Sequence, residues 1–469
     1  MNTSPAVFEN APPASPPPVI RRARFGTTLK MGAIAGLVLV LLIPLAMIRS
    51  VLTERLARRQ EALVNITSTW GSDQVINGPV LIVPYKYRVK AWMEQVISGR
   101  LERVETMETL TAQAHFLPEK LQVNGQLISD VRHRGIYQAV VYRGDLQVSG
   151  SFSKPVFDEW KVAPEDILWD DACVTLAISD LRGAQEVLTL NFAGQACPLT
   201  PGSKLKGFSS GVHARVKGLS PEPAELPFDL KLTINGSGSM RFAPVGRQTR
   251  VQLSSSWPDP KFDGAFLPVT RTVSPAGFQA EWAVSYYGRS YPQQWSTRDD
   301  PPPFTTAAVN GSLFGVDLLT VVDGYRHVER SIKYGVLFLT LVFTAFFLFE
   351  ILVRLRVHPF QYTLVGVALC LFYLALLSLS EVISFGLAYL VGAASASLLI
   401  VGYSAHVLRS FRRALLIGAE LAAIYACLFV ILRLQDYALL FGTAGLFLAL
   451  AIVMFVTRKI DWYARDEGH

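Results

Sequence analysis

The chain has 469 residues, 51% of them hydrophobic and only 17% charged, with a net charge of +7. A soluble domain usually carries about 25% charged residues, so the composition favours a membrane protein. The basic residues flank apolar runs, which is the placement expected at membrane borders. We therefore expect the lipid bilayer as a partner and no nucleic acid.

Residues 1–30 form the first predicted segment, a cytoplasmic tail. It contains six prolines within its first eighteen positions. Proline interrupts helices, and the segment has little apolar surface to bury. We predict that this tail is disordered.

Residues 31–48 are the first membrane-length apolar run, eighteen residues without a charge. At about 1.5 Å per residue, such a helix nearly spans the ~30 Å hydrocarbon core. A cleaved signal peptide is the alternative, but the small residues that a cleavage site needs are missing before Arg49, and we predict an uncleaved anchor. In residues 49–69 apolar side chains recur on one helical face, which predicts an amphipathic stalk helix.

The polar middle of the chain opens at Trp70 with the segment WGSDQVINGPVLIVPY. Asn-Gly pairs such as Asn77-Gly78 are common in turns. The apolar run at 80–83 has high strand propensity and is too short to cross a membrane, so we predict a turn and then a buried strand. Short strand-like runs and further turn signals follow, among them Asn124-Gly125. We predict a β-rich periplasmic domain over 70–333, sandwich-like or an extended antiparallel sheet.

Five apolar runs close the chain and predict a transmembrane helical bundle over 334–456. The runs are 334–353, 362–380, 382–402, 414–432 and 437–456. The segments assigned to the cytoplasm hold twelve Lys and Arg residues, whereas the short outside loops hold one, Arg433. Cytoplasmic loops collect Lys and Arg, so we predict six helices in the bacterial inner membrane, both termini in the cytoplasm, and a cytoplasmic tail at 457–469.

Two carboxylates fall within these apolar runs, where a charge is costly and often functional. Glu350 lies near the cytoplasmic end of its helix, four residues before Arg354, and an ion pair between them is the simpler interpretation. Glu420 lies about two turns into its helix and either serves a proton or cation site or pairs with Arg413 or His406. Both stand as candidate intramembrane functional carboxylates.

No catalytic signature, zinc-ligand spacing or nucleotide fingerprint occurs in the sequence, so no catalytic, cofactor-binding or metal-binding residue is named and no cofactor is expected. His213 with Asp180 or Asp170 and a serine would make a hydrolase triad, but such combinations arise by chance in a domain of this size.

Four cysteines are too few for a disulfide scaffold. Cys173 and Cys197 lie in the predicted periplasmic domain, where an oxidising compartment would allow them to pair. The sequence gives no distance between them, so a disulfide and two free thiols both remain open.

With these segments placed, the chain resembles the CreD family of bacterial inner-membrane proteins. The resemblance is carried by GPVLIVPY, RHRGIYQAVVYRGDLQVSGSF, ISDLRG, SSWPDPKFDGAFLP, KYGVLFLTLVFTAFFLFE, HPFQYTLVG, LFYLALLSLSE and TRKIDWY, in this order. The proline-rich tail departs from the family pattern, and so does Lys261, where a small residue is expected.

The resemblance implies one anchor, a large periplasmic domain and a C-terminal helical bundle. It also implies a role in cell-envelope integrity and stress tolerance, with a link to a two-component sensor kinase system, and no catalytic residues. We therefore predict a non-enzymatic protein whose periplasmic domain binds an unidentified envelope protein or polymer. The alternatives are a transporter or flippase that uses Glu350 and Glu420, and a periplasmic hydrolase built around His213.

Overall fold

The computed structural model describes most of the chain. It describes residues 27–97, 100–184, 188–219, 225–318, 324–352, 357–407, 410–434 and 437–458. The proline-rich tail lies outside these residues, except for its last four positions, and so does most of the predicted C-terminal tail. The described residues divide into two compact units, a helical one (1–53 and 324–469) and a β-rich one (54–323).

The helical unit is built from apolar helices. Its helices are α1 (Thr27–Trp70, whose C-terminal part belongs to the β-rich unit), α3 (Gly324–Lys333), α4 (Gly335–Leu352), α5 (Pro359–Ser380), α6 (Phe385–Val407), α7 (Phe411–Arg433) and α8 (Ala438–Thr457), and the short α2 (Thr306–Asn310) lies in the other unit. Five helices are long and apolar enough to cross a membrane, or six if α3 and α4, bent by 50°, form one span. Each predicted apolar run therefore corresponds to a helix.

The border of the β-rich unit lies before residue 333. We predicted the β-rich domain to extend to 333, but α3 is helical and groups with the helical unit. Its sequence GYRHVERSIK is polar, so hydropathy alone did not assign it to the bundle. Val328 and Ile332 are nevertheless buried, one helical turn apart, and they give α3 an apolar face.

Two mixed sheets form the β-rich unit in the described residues. The strands of sheet A are β1 (Gln74–Ile97), β2 (Arg100–Phe116), β5 (Cys173–Ile178), β8 (Thr200–Pro201), β9 (Gly211–Arg215), β11 (Ser239–Phe242), β13 (Pro260–Gly264), β16 (Gln294–Ser296) and β17 (Phe314–Leu318). The strands of sheet B are β3 (Lys120–Arg134), β4 (Tyr137–Ser153), β6 (Thr189–Phe192), β7 (Gln195–Pro198), β10 (Glu225–Ser237), β12 (Gln248–Ser255), β14 (Thr270–Ser274) and β15 (Gly277–Ser285).

The buried side chains of both sheets form one continuous hydrophobic core. Most strand pairs are antiparallel, but β1 pairs in parallel with β11 and β3 pairs in parallel with β12. The predicted buried strand Val80–Val83 lies inside β1, and every one of its side chains is at most 1% exposed. The prediction of apolar helices together with a β-rich, sandwich-like domain is confirmed, with the correction that the sheets are mixed.

Two predicted turns are not turns. Asn77-Gly78 lies within β1, at an irregularity in the pairing with β5. Asn124-Gly125 lies within the continuous strand β3, which pairs with β4 from Lys120 to Arg134. A Cβ atom at Gly125 would lie 2.6 Å from side-chain atoms of Leu146 and Leu253, so this glycine permits close packing rather than a turn.

A long two-stranded ribbon extends from sheet A. Beyond Tyr85, the residues Lys86–Ile97 of β1 pair only with Arg100–Thr111 of β2 among the described residues. Twelve residues of extended strand span about 40 Å. Among the ribbon side chains that the structure describes, Trp92 is 67% exposed, Met107 59% and Leu110 37%.

Lys261, where the resemblance led us to expect a small residue, fits its surroundings. It lies in β13, and its Nζ is 3.6 Å from a carboxylate oxygen of both Asp263 and Asp317. Asp317 also binds Arg241 at 3.1 Å. The lysine therefore joins a cross-strand charge network at the surface of the sheet.

Candidate functional site

Glu350, a predicted candidate, lies in a polar cluster where three helices begin or end. It stands in the last turn of α4 and is 6% exposed. Lys30, in the first turn of α1, donates a hydrogen bond to its carboxylate. The Tyr362 hydroxyl, in the first turn of α5, donates to the other carboxylate oxygen over 2.8 Å. The backbone N–H of Val357 donates a third hydrogen bond over 3.0 Å.

Every charge in this cluster is satisfied within it. Lys30 also donates to the Val357 carbonyl over 2.8 Å, so the ammonium has two acceptors and the carboxylate has three donors. A buried ion pair is tolerated when hydrogen bonds complete the coordination of both ions. The predicted partner Arg354 lies outside the described residues, and the described partner of Glu350 is Lys30, 320 residues away in the chain.

A small cavity of about 30 Å³ adjoins Glu350. Its wall includes Gln361, Tyr403 and Ser404, which are polar, together with apolar side chains of α4 and α7. A cavity of this size has room for a single water molecule. The arrangement suits a fixed polar contact between helices rather than a path for larger solutes.

Glu420, the second candidate carboxylate, does not line this cavity. It is the tenth residue of α7, and its side chain is half-buried. It forms no hydrogen bond or ion pair with any residue in the part of the chain that the structure describes, which includes Arg413 and His406. Among the described residues, Glu350 thus has hydrogen-bond and ion-pair partners and Glu420 has none.

A second polar cluster holds the end of α1 within the β-rich unit. Trp70 is the last residue of α1, and its indole N–H donates to the Tyr142 carbonyl over 3.2 Å. The guanidinium of Arg132 lies 4.6 Å from the ring centroid of Trp70, in cation–π geometry. Arg182 donates to the Ser68 carbonyl, one of the orphan carbonyls of the last helical turn, over 2.5 Å.

Asp180 is the centre of this junction. Both its oxygens accept from Arg182, and Oδ2 also accepts from the backbone N–H and the hydroxyl of Ser72, each at 3.0 Å. The Arg182 side chain is the main reason why the pKa of Asp180 is lowered well below its usual value. The carboxylate therefore stays charged and fixes the first residues that follow α1.

Close backbone approach completes the junction. A Cβ atom at Gly71 would lie 2.6 Å from the Asn235 carbonyl oxygen, and one at Gly236 would lie 2.3 Å from the Tyr142 hydroxyl. Gln74 donates to the carbonyls of Asp180 and Asn235 over 2.9 and 2.7 Å. The segment WGSDQ therefore meets ISDLRG and RHRGIYQAVVY, two of the segments that carry the resemblance, at one place.

His213 does not assemble a triad. Its Nδ1 lies 2.7 Å from the Gly202 carbonyl, and its Nε2 lies 3.1 Å from the Thr200 hydroxyl. Asp180 is engaged by Arg182 and Ser72, as described above. The described contacts of His213 are local and hold β8 against β9, so the geometry does not support the hydrolase alternative.

Cys173 and Cys197 are free thiols in this structure. Cys173 lies in β5 of sheet A, and Cys197 lies in β7 of sheet B. Burial raises the pKa of the Cys173 thiol to about 11, which keeps it protonated and unreactive at neutral pH.

His115 is a buried titratable residue that the sequence analysis did not single out. It lies in β2, is 4% exposed, and stacks on Trp295 with ring centroids 4.8 Å apart. Its Nδ1 has no hydrogen-bond partner among the described residues. Burial lowers its pKa to about 4, so the imidazole is neutral at physiological pH.

Sequence reasoning also missed Lys30 and Tyr362 as partners of Glu350. Lys30 is the last charge before the anchor run, and Tyr362 follows the helix start HPFQ, where His358 and Gln361 form a capping box. Both positions mark helix ends. Donors at helix ends can reach a carboxylate that lies near the end of a neighbouring helix. The charged pair then stays outside the hydrocarbon core, where a charge is costly.

Together these features define a class of protein, one with several helices apolar and long enough to span a membrane and a large β-rich unit that includes the end of the first helix. The family model "Inner membrane protein CreD" matches residues 26–463. The inner membrane protein CreD of Escherichia coli (strain K12) is 34% identical over 438 residues, covering 93% of each chain. The chain belongs to the CreD family of inner membrane proteins, as the resemblance predicted.

Proposed function

We propose that this inner-membrane protein supports cell-envelope integrity and tolerance of envelope stress without catalysis. On this proposal both termini are cytoplasmic, and the β-rich unit lies in the periplasm and binds an envelope protein or polymer. The Lys and Arg asymmetry between the predicted loops supports this orientation. A functional link to a sensor kinase system is part of the proposal.

The two-stranded ribbon is the observation that carries the binding role. An isolated hairpin is at best marginally stable in water, and exposed edges invite pairing with another chain. By register, Lys86, Arg88, Lys90 and Trp92 lie on one face, with Met107 opposite Lys90. This face combines large apolar side chains with basic ones, a combination that suits a binding surface.

The helical unit supports an anchoring role more than transport. Its most buried carboxylate, Glu350, is neutralised by Lys30 and is saturated with donors. Transport sites more often lie at interrupted helices near the bilayer midplane, whereas this cluster lies at helix ends. Glu420 remains the one observation that favours the transporter alternative, since it is half-buried in an apolar helix without a described partner.

The binding role is tested by complementation in a strain that lacks the gene. The double variant Trp92→Ala/Met107→Ala should insert at wild-type levels but fail to restore tolerance of an envelope-directed toxin. Tyr287→Ala is the matched control, because Tyr287 is 84% exposed in the same unit but lies outside the ribbon. Full protection by the ribbon variant would contradict the proposal.

The variant Glu420→Gln distinguishes the transporter alternative from the proposed binding role. Because Glu350 holds helices together, changing it would confuse stability with activity, whereas Glu420 has no described partner to lose. On our proposal Glu420→Gln complements like the wild type. Loss of protection by a normally inserted Glu420→Gln protein, with the ribbon variant still active, would favour transport.

A further inference from the structure

We propose that a groove between α6 and α7 binds one acyl chain of an anionic phospholipid, with Arg433 beside the lipid phosphate. The groove has a volume of about 530 Å³, within the range of roughly 300–1,000 Å³ that is usual for ligand pockets. Small and aromatic side chains line it, among them Tyr389, Ala393, Ala394, Ala422, Ala426 and Phe429.

The depth of the groove matches one leaflet. On α6 its lining runs from Gly386, the second residue of the helix, to Ser397. Eleven residues of helix rise about 16 Å, which is half of the ~30 Å hydrocarbon core. A packed helix from a second copy would follow α6 and α7 over their whole length, whereas an acyl chain ends near the midplane as this groove does.

The aromatic rim of the groove is already held in place. The Tyr389 and Phe429 rings lie 5.1 Å apart. The Tyr389 hydroxyl donates to the Tyr425 carbonyl over 2.8 Å and thereby ties α6 to α7. Alanines on both helices keep the space between these rings and the midplane open. Because the walls are preformed, a chain that enters loses freedom without forcing the protein to rearrange.

The positively charged Arg433 lies beside the end of the groove that Phe429 lines. Arg433 is the last residue of α7, and its guanidinium lies 5.2 Å from the ring centroid of Phe429, which lines the groove. A helix end at the membrane border is the depth at which lipid phosphates lie. Arg binds phosphate with two parallel hydrogen bonds, which suits an anionic headgroup above a buried acyl chain.

The proposal is tested by native mass spectrometry of the full-length protein, purified in mild detergent and incubated with phosphatidylglycerol vesicles. The wild type should retain one phospholipid per chain at saturation. Ala426→Trp fills the groove and should abolish retention. Ala423→Trp is the matched control, because Ala423 is exposed on the same helix but does not line the groove. Equal retention by both variants, or no retained lipid on the wild type, would overturn the proposal.

Arg433→Gln tests the headgroup contact without filling the groove. It should lower the preference for phosphatidylglycerol over phosphatidylcholine about fivefold, since one basic residue near an anionic lipid contributes about 1 kcal/mol. An unchanged preference would refute the role of Arg433. Dimers that disappear in Ala426→Trp would instead assign the groove to a helix of a second copy. This site is independent of the ribbon, so failure of either proposal leaves the other standing.

Discussion

At the scale of single residues, we expect the Lys30–Glu350 ion pair to contribute strongly to the stability of the helical unit. Lys30→Met leaves the buried Glu350 charge without its counter-ion, and we expect it to lower the free energy of unfolding by about 3 kcal/mol. Glu350→Gln leaves the partly buried Lys30 charge, which water still reaches, and should cost less. Tyr362→Phe removes one hydrogen bond to a charged group and should cost about 1.5 kcal/mol. The measurement is thermal unfolding of the purified full-length protein in detergent.

An exposed ion pair provides the control for that series. Glu54 and Arg58 are four residues apart on α1, and both side chains are 59% exposed. Glu54→Gln should change stability by less than about 1 kcal/mol. The double variant Lys30→Met/Glu350→Met should recover much of the loss. A single variant as stable as the wild type would show that the pair is not a structural contact.

At the same scale, His115 makes stability depend on pH. Its pKa is near 6.5 when unfolded and about 4 when folded, so between these values the unfolded state binds the proton first. The contribution of His115 to the free energy of unfolding is fully present above pH 6.5. It declines by about 3 kcal/mol as the pH falls towards 4.

His115→Phe should remove this part of the pH dependence. The measurement compares denaturant unfolding of the full-length protein at pH 7.5 and pH 4.5. His133→Phe is the control, because His133 is exposed on β3. An unchanged pH dependence in His115→Phe would show that His115 does not set it.

The sequence identified Glu350 as an unusual residue but did not identify its partner. An i,i+4 pattern pointed to Arg354, whereas the described donors are Lys30 and Tyr362. Local spacing is visible in a sequence, but a contact across 320 residues depends on how the helices pack. The same limit applies to the junction around Asp180, whose segments were recognised one by one but not as neighbours.

At the scale of elements, Gly125 shows why turn chemistry misled the prediction. Gly125→Ala would raise strand propensity but would force a Cβ atom to within 2.6 Å of Leu146 and Leu253. We expect a loss of about 1–3 kcal/mol in the free energy of unfolding, as is usual for overpacking. Gln126→Ala, exposed in the same strand, is the control. A stabilised Gly125→Ala protein would mean that the packing relaxes easily.

The helices were predicted better than the strands for a physical reason. An apolar run that crosses a bilayer must satisfy its backbone internally, so length and hydropathy alone locate it. In a sheet the same Asn-Gly pair serves as a turn or as a point of close approach, depending on strands that are distant in sequence. The helical segment α3 was missed because its composition is polar and only its packing groups it with the bundle.

At the scale of the whole molecule, the proposed orientation is testable by labelling. In a chain whose four cysteines are replaced by serine, Tyr287→Cys should react with a membrane-impermeant maleimide in intact spheroplasts. Pro5→Cys and Arg465→Cys should react only after lysis, because both tails are predicted to be cytoplasmic. Labelling of Pro5→Cys in intact spheroplasts, or protection of Tyr287→Cys, would contradict the proposed topology.

The junction at the end of α1 cannot form during synthesis until strands much later in the chain have been made. The first strand of the β-rich unit pairs in parallel with β11, and Asp73 binds the backbone of Ser239, 166 residues later. At roughly 5–20 residues per second, ribosomes need on the order of 10–30 s to synthesise that interval. Until then Val80–Val83 has no complete sheet to enter. The nascent chain therefore passes through an aggregation-prone interval, and we expect its yield to depend on holdase chaperones more than that of a domain built from neighbouring hairpins.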